Sequence, residues 1–173
     1  MGTCSVAALL RFLVFFIGLL GHLICHVAAQ LNAGNPYLAA HNAVRARVGV
    51  PPLVWDPSLV AYAQRYADAT RASNACRLMR PSGGPFGENK FWGSPGRVWN
   101  GGDAVASWVE LGKYYNAASN SCVPPSEPCG VYTQVVWHTT SSLGCASSVC
   151  PDNSTFIMCS YNPPGNVRGQ SPF

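Results

Sequence analysis

The spacing of apolar residues over positions 35–72 predicts two amphipathic helices. Asn35 followed by Pro36 marks a helix start, because asparagine accepts hydrogen bonds from free amides and proline at the first helical position lacks an amide that would go unpaired. We expect this helix to end at Gly49. Asp56 followed by Pro57 repeats the signal and predicts a second helix. Its apolar side chains recur at helical spacing and should pack inward: Leu59, Tyr62, Ala63 and Tyr66.

A third helix is predicted to open at Asp103 and to fray over residues 114–116. One stripe of its surface is apolar or small: Val105, Trp108, Val109 and Gly112. Aromatic residues cluster around this helix and the loop before it: Trp92, Trp99, Trp108, Tyr114 and Tyr115. Their spacing fits core or rim packing, and four of them are also candidates for lining an apolar ligand groove: Trp92, Trp108, Tyr114 and Tyr115.

The second half of the chain changes to the pattern of β-strands. Segments 131–137, 143–148 and 156–161 are rich in β-branched or aromatic residues and are separated by turn residues. Three successive strands predict an antiparallel sheet. Because the helices come first and the strands follow, the pattern favours an α+β domain in which helices cover the sheet.

Two loops should be ordered. Segment 122–129 contains Pro124, Pro125 and Pro128, so few backbone states are accessible to it and it should project as a stiff loop. Segment 82–87 is rich in glycine, which permits tight turns, and it places the carboxylate of Glu88 directly after the turn.

The N-terminal segment has the pattern of a secretory signal peptide. Arg11 precedes an apolar run over residues 12–27, and Val27 and Ala29 suit cleavage before Gln30. The alternative is a transmembrane anchor, but glycines and histidines interrupt the run, and a helix that spans a bilayer needs about 20 residues. We predict a signal peptide over residues 1–29, one mature domain over residues 30–173 and no stable membrane anchor.

Charge and cysteine content limit the class of protein. The predicted mature chain has ten Lys and Arg against seven Asp and Glu, a net charge of about +3 that is too dilute to indicate nucleic-acid binding. Its six cysteines predict three disulfides, for which fifteen connectivities exist, and their spacing is not that of a zinc site. In a secreted chain, Asn153 followed by Ser154 and Thr155 is an N-glycosylation acceptor.

Four segments together resemble the CAP superfamily, which comprises cysteine-rich secretory proteins, insect antigen 5 and plant pathogenesis-related protein 1. They are AHNAVRARVGVPPLVWD from Ala40, GPFGENKFWG from Gly84, CGVYTQVVWHTTSSLGCA from Cys129 and CSYNPPGNVRGQSPF from Cys159. The match covers the mature chain, and its short C-terminal form is similar to the plant branch.

The resemblance implies a three-layer α-β-α sandwich with a central, mainly antiparallel sheet and three disulfides. In the plant proteins the pairing is known, and carried over it joins Cys76 with Cys150, Cys122 with Cys129, and Cys145 with Cys159. The resemblance further implies a secreted protein of the apoplast with a role in plant defence.

In some members of the superfamily, a cleft with two histidines and two glutamates binds a divalent metal. The matching positions here are Pro81, Glu88, Leu111 and Val131, with Arg80 in place of Pro81 if the loop is one residue longer than usual. Glu88 alone keeps a residue type that ligates a metal, so we expect neither a metal nor another cofactor.

Glu110 and His138 are candidate substitutes for the lost ligands. Glu110 is unsuitable, because a helix turns about 100° per residue and Glu110 then points away from the direction of Leu111. His138 lies seven residues beyond Val131, and this odd offset in an uninterrupted strand puts it on the opposite face.

Glu88 has two interpretations, a ligand or general acid on the one hand and a carboxylate that accepts backbone amides in the loop on the other. The second is favoured, because acid–base catalysis needs a partner within hydrogen-bond reach. His41 lies in a segment that the family does not tie to the cleft, so a structural hydrogen-bonding role is favoured for it. No serine or cysteine nucleophile stands out.

Several CAP proteins bind sterols or fatty acids. The resemblance therefore implies a non-catalytic protein that binds a sterol or lipid, with a microbial surface or a membrane sterol as partner. In plant relatives the tail can be released as a signalling peptide, which here implies cleavage between Asn162 and Pro163, and the alternative is a stiff tail packed on the domain. The alternative function is a metal-dependent hydrolase that uses Glu88 with His41 or His138.

Overall fold

The computed structural model describes residues 35–74, 76–77 and 79–173. The predicted signal peptide and the alternative membrane anchor lie outside the described residues. The helices are α1 (Pro36–Arg47), α2 (Pro57–Ala72), α3 (Gly101–Glu110) and α4 (Gly130–Val135), with a 3₁₀-helix over Leu111–Tyr114. The strands are β1 (Val54–Trp55), β2 (Gly87–Gly93), β3 (Tyr115–Asn116), β4 (Ser121–Cys122), β5 (Ser142–Val149) and β6 (Thr155–Asn162).

The strands β1, β5, β6 and β2 lie side by side in this order and form a four-stranded sheet. Strand β6 is antiparallel to both of its neighbours, whereas the two-residue strand β1 is parallel to β5. Side chains of β6 alternate between the faces, so Ile157, Cys159 and Tyr161 pack with α1, α3 and α4, while Phe156 and Met158 pack with α2. This three-layer arrangement confirms the predicted fold class.

Local sequence signals explain where α1, α2 and α3 begin. Helices α1 and α2 start at Pro36 and Pro57, as predicted, and α1 ends just before Gly49, whose φ of 75° suits the residue after a helix. Helix α3 begins at Gly101 rather than at Asp103, because Asn100 is the cap. The Asn100 side chain accepts the Asp103 amide at 3.3 Å, and the Asp103 carboxylate accepts the Asn100 amide at 2.9 Å.

The prediction of a strand over residues 131–137 is wrong. Helix α4 occupies Gly130–Val135, and the amides of Tyr132 and Thr133 donate to the carbonyl of Cys129 at 3.0 and 3.1 Å. Val135 and Val136 are fully buried in the core between the helices and the sheet. Burial of one helical face outweighs the preference of these β-branched residues for strands.

Two strand pairs were not expected from the sequence pattern. Strand β2 pairs with β6 over all seven of its residues, from Gly87 with Tyr161 to Gly93 with Thr155. Glu88 and Lys90 interrupt the run of apolar residues in β2, which hides the strand from a pattern based on hydrophobicity. Residues 115–116 do not extend the third helix but pair with β4 in a short hairpin.

The three disulfides join Cys76 with Cys150, Cys122 with Cys129, and Cys145 with Cys159. This is the pairing that the resemblance implied. Cys145 and Cys159 are opposite each other on β5 and β6, and the middle disulfide closes the proline-containing loop. Within the described part of the chain, every helix is too short or too polar to span a bilayer.

Candidate functional site

A cavity of about 880 Å³ lies beside β2, the last strand of the sheet. Its walls come from the loop before β2, from β2 itself, from the end of α3 and from the start of α4. The four positions that match the metal cleft of the family all line this cavity: Pro81, Glu88, Leu111 and Val131. The chain therefore brings together residues that are 50 positions apart in sequence, as the resemblance implied.

The walls of the cavity carry four aromatic side chains: Phe86, Phe91, Trp92 and Trp108. Trp108 is held in place because its Nε1 donates to the carbonyl of Lys90 at 2.9 Å. The ring of Phe91 packs edge-on against Trp99, with 5.3 Å between the ring centres. Such a fixed apolar wall suits an apolar ligand of small size.

The four residues predicted to line a ligand groove do not all line the same cavity. Trp92 and Trp108 line the cavity, but Tyr114 packs under the ammonium of Lys113, at 5.1 Å. Tyr115 lines a second, smaller cavity of about 360 Å³ beside the C-terminal tail. Sequence reasoning missed Phe86 and Phe91, although both lie in the segment GPFGENKFWG from Gly84.

Two charged residues, Glu88 and Lys90, line the cavity and form its polar end, and Ser82 in the loop before β2 contacts Glu88. The Glu88 carboxylate accepts hydrogen bonds from the Ser82 amide at 3.1 Å, from the Ser82 hydroxyl and from the Lys90 ammonium. The side chains of Lys90 and Glu88 are 9% and 12% exposed. Glu88 thus accepts a backbone amide of the glycine-rich loop. This is the second of the two interpretations of Glu88, in which its carboxylate holds the loop.

Lys90 was not singled out as a partner of Glu88. The two residues are two positions apart in β2, so their side chains lie on the same face of the strand. The signal was present in the sequence as Glu88-Asn89-Lys90, but it has meaning only once the segment is known to be a strand.

Two tyrosines of α2 hold the loop before β2. The hydroxyl of Tyr62 lies 2.5 Å from the Ser82 hydroxyl, and the Tyr66 hydroxyl donates to the carbonyl of Arg80. A Cβ at Gly84 would lie 1.8 Å from the Tyr62 hydroxyl oxygen, so a side chain there would displace the Tyr62 ring from Ser82. The two tyrosines pack inward as predicted and also position the residues next to Glu88.

The residues of the cleft do not fit a divalent metal. The side chains of Pro81, Leu111 and Val131 offer no ligand, and Ser82 and Lys90 already engage the carboxylate of Glu88. Among the described residues, no group of three or more His, Cys, Asp or Glu side chains is placed to hold a metal ion. Of the four positions that the resemblance matches to the family's metal cleft, Glu88 alone carries a residue type that ligates a metal.

The histidines of the described chain lie away from the cavity. His41 is fully buried, with Nδ1 at 2.7 Å from the carbonyl oxygen of Tyr37 and Nε2 at 2.8 Å from the hydroxyl of Tyr161. Burial lowers the pKa of His41 to about 4. His138 is exposed and contacts the carbonyl of Pro172 in the tail. The prediction that His138 lies on the opposite face of an uninterrupted strand is wrong, because residues 130–135 form helix α4.

Glu110 lies outside the cavity, as its helical position predicts. Its side chain is 72% exposed and pairs with Lys113 at 3.3 Å, whereas the next residue, Leu111, lines the cavity. The structure therefore does not bring Glu88 together with Glu110, His41 or His138.

The C-terminal tail, residues 163–173, is attached to the domain at several points between Pro163 and Phe173, although most of its residues are exposed. Its carbonyl groups accept hydrogen bonds from Thr140, Asn120 and His138, and the amide of Gly165 donates to Gln134. The ring of Phe173 packs edge-on against Tyr115, with 6.0 Å between the ring centres. This geometry is that of a tail packed on the domain, which is the alternative to peptide release. Cleavage after Asn162 stays a prediction. Glycosylation of Asn153, whose side chain is exposed, also stays a prediction.

The fold and the cleft define a class, the CAP proteins. Residues 38–161 match the family model described as the cysteine-rich secretory protein family, and the chain belongs to this family. Pathogenesis-related protein PRMS of Zea mays is 49% identical over 149 residues, which are 86% of this chain and 87% of that protein. Pathogenesis-related protein 1A of Nicotiana tabacum is 42% identical over 173 residues, which are 100% of both chains. The chain is thus a defence-type CAP protein similar to plant pathogenesis-related protein 1.

A solved structure supports the fold. The crystal structure of NaASP2 with Zn²⁺ superposes with a TM-score of 0.63 at 21% identity and covers 80% of this chain and 83% of that chain. At this identity the likeness concerns the fold alone, and the zinc ion is a property of that protein.

Proposed function

We propose that this protein is secreted to the apoplast and acts there in plant defence by capturing an apolar ligand, such as a microbial sterol or another lipid. The observation that carries the proposal is the cavity of about 880 Å³, whose walls include Trp92, Trp108, Leu111 and Val131. Two positions that would ligate a metal in the family, Leu111 and Val131, here add apolar surface to that wall. Cavities that bind small molecules are mostly apolar with a few polar groups.

We propose further that the protein acts without catalysis. The Glu88 carboxylate is engaged by Ser82 and Lys90, and the imidazole of His41 is occupied by Tyr37 and Tyr161. A general acid or base needs a partner within reach of the same substrate. The alternative function, a hydrolase that uses Glu88 with His41 or His138, lacks this convergence.

A titration of the secreted protein with a fluorescent sterol tests ligand capture. Saturable binding is expected, and Leu111→Trp should weaken it, because the larger ring occupies part of the cavity. Glu110→Trp is the matched control, because it adds the same side chain at the neighbouring position on the exposed side of the helix. Equal binding by both variants, or the absence of saturable binding to the unmodified protein, would contradict the proposal.

A second candidate function is that of a peptide precursor. The bond between Asn162 and Pro163 joins two exposed residues at the end of β6, a position that is open to a protease. Mass spectrometry of the extracellular fluid of a plant that expresses the protein should detect a peptide that begins at Pro163. Detection of the intact C-terminus alone, in fluid where the protein is abundant, would count against release.

A further inference from the structure

The charged groups at the cavity cancel each other. Of the described residues that line it, two carry a formal charge, Glu88 and Lys90, and their side chains form an ion pair with each other. Glu88 also accepts hydrogen bonds from Ser82, and the Lys90 ammonium lies 5.0 Å from the centre of the Tyr66 ring. The polar end of the cavity therefore contains a strong donor and a strong acceptor but has no net charge.

Other groups near the cavity do not change this balance. The guanidinium of Arg77 stacks on the ring of Trp92 at 4.3 Å, and both Arg77 and Arg80 are exposed, so water and salt screen their charges. The hydroxyl of Ser107, a lining residue, donates to the carbonyl of Ala104 at 2.7 Å. Among the described residues that line the cavity, the pair of Glu88 and Lys90 is thus its charged feature.

We infer that the cavity selects an uncharged amphiphile whose polar end is a hydroxyl group, such as a free sterol or a long-chain alcohol, over an anionic amphiphile such as a fatty acid or a sterol sulfate. The inference rests on the proposed capture of an apolar ligand and specifies its chemical class. Ser82 and Lys90 use three of the roughly four acceptor sites of the Glu88 carboxylate, and the Lys90 ammonium has three donors. A hydroxyl can therefore donate to the remaining acceptor site of Glu88 and accept from Lys90, whereas an anion can only accept.

An anion gains little at this position. Because the side chains of Glu88 and Lys90 are in contact, an anion that approaches the ammonium also approaches the carboxylate. The attraction and the repulsion then offset each other, while the cost of removing the anion from water remains. A hydroxyl group leaves water at a much lower cost than an ion does.

Matched ligand pairs test the inference in the secreted protein. Cholesterol is compared with cholesterol sulfate, and hexadecanol with palmitate, each as a competitor of a bound fluorescent sterol. The two ligands of each pair have closely similar apolar parts. A difference in their competition therefore reports the effect of the ligand's polar group. The alcohol of each pair should compete at least about tenfold more strongly than the anion.

The variant Glu88→Gln provides a signature that a purely structural role would not produce. It keeps the size of the side chain but leaves the Lys90 ammonium without its counter-charge, so palmitate should now compete better than hexadecanol. Glu110→Gln removes an exposed carboxylate outside the cavity and should keep the preference of the unmodified protein.

The outcomes separate this inference from the proposed function. If the anions compete as strongly as the alcohols in the unmodified protein, the inference is overturned while ligand capture stands. If none of the four competitors acts and the fluorescent sterol does not bind, ligand capture itself fails, and the inference fails with it. The comparison in the unmodified protein does not depend on the folding of any variant.

Discussion

The Nε2 atom of His41 lies 2.8 Å from the hydroxyl oxygen of Tyr161, and both side chains are fully buried between α1 and the sheet. The Nδ1 atom is 2.7 Å from the carbonyl oxygen of Tyr37, which can only accept. Nδ1 therefore carries the proton of the neutral ring, and Nε2 accepts from the Tyr161 hydroxyl. Burial lowers the pKa of His41 to about 4, the hydrogen bond to Tyr37 opposes this shift, and Arg45 adds to it.

Acid should destabilise the protein through His41. Between the folded-state pKa of about 4 and the ordinary value of 6.5, the unfolded chain binds more protons than the folded chain, so the free energy of unfolding rises with pH. The contribution of neutral His41 to the free energy of unfolding is fully present above the ordinary pKa and is lost as the pH falls through the folded-state pKa. It amounts to about 3 kcal/mol. Urea unfolding across this pH range measures it.

The variant His41→Gln should lose this part of the pH dependence, even though it is less stable at neutral pH. His138→Gln, which changes an exposed histidine, should retain the dependence. A pH slope in His41→Gln that equals that of the unmodified protein would show that another group is responsible.

Arg45 is a buried cation whose hydrogen-bond partners are carbonyl groups. Its guanidinium donates to the carbonyls of Pro51, Val135, Trp137 and Thr140 at distances of 2.7 to 3.0 Å. These bonds connect α1 to the end of α4 and to the turn before β5. Arg45→Met should therefore lower the free energy of unfolding by about 3 kcal/mol or more, because buried carbonyls lose their donors.

The control for this prediction is Arg47→Met, which makes the same change two residues later at an exposed position of α1. Its effect should stay within about 0.5 kcal/mol. The midpoint of urea unfolding is measured for both variants. Equal midpoints would mean that the hydrogen bonds from Arg45 to the carbonyl groups do not stabilise the fold.

Signals that act over a few residues could be predicted from the sequence, and signals that depend on distant partners could not. The starts of α1 and α2 follow from the dipeptides at Pro36 and Pro57, because capping is local. Helix α4 is determined by the burial of Val135, which a propensity does not show. The pair of Glu88 and Lys90 depends on β2, a strand that exists because it pairs with β6 some 70 positions later.

Gly144 marks a close contact between β5 and α2. A Cβ at this position would lie 2.3 Å from the amide nitrogen of Val60 and 2.5 Å from the carbonyl carbon of Leu59. Because these are backbone atoms of a helix, the helix must shift to make room. Gly144→Ala should destabilise the protein by about 1 to 3 kcal/mol in urea unfolding.

Gly130→Ala is the matched control for this change. A Cβ at Gly130 would lie 3.7 Å from the nearest atom, the side-chain nitrogen of Asn166, which is an ordinary contact. Its stability should remain close to that of the unmodified protein. If both variants lose the same stability, the contact between β5 and α2 is not the cause.

The contacts of the tail predict that cleavage before Pro163 does not by itself release the peptide. Thr140, Gln134, Asn120 and His138 all precede the cut and would keep their hydrogen bonds to residues 163–173. A chain that ends at Asn162 should therefore bind a synthetic peptide of residues 163–173, with roughly micromolar affinity. Biolayer interferometry measures the binding, and near-ultraviolet circular dichroism monitors whether the fragment is folded.

Two peptide variants make this test specific. Gly165→Ala should bind more weakly, because a Cβ at Gly165 would lie 2.7 Å from atoms of Gln134 and Trp137. Arg168→Ala changes an exposed side chain and should bind like the unmodified peptide. A folded fragment that does not bind the unmodified peptide would mean that the tail leaves as soon as it is cut. A fragment that folds only when the peptide is present would support the prediction, because the peptide would then supply contacts that the domain needs.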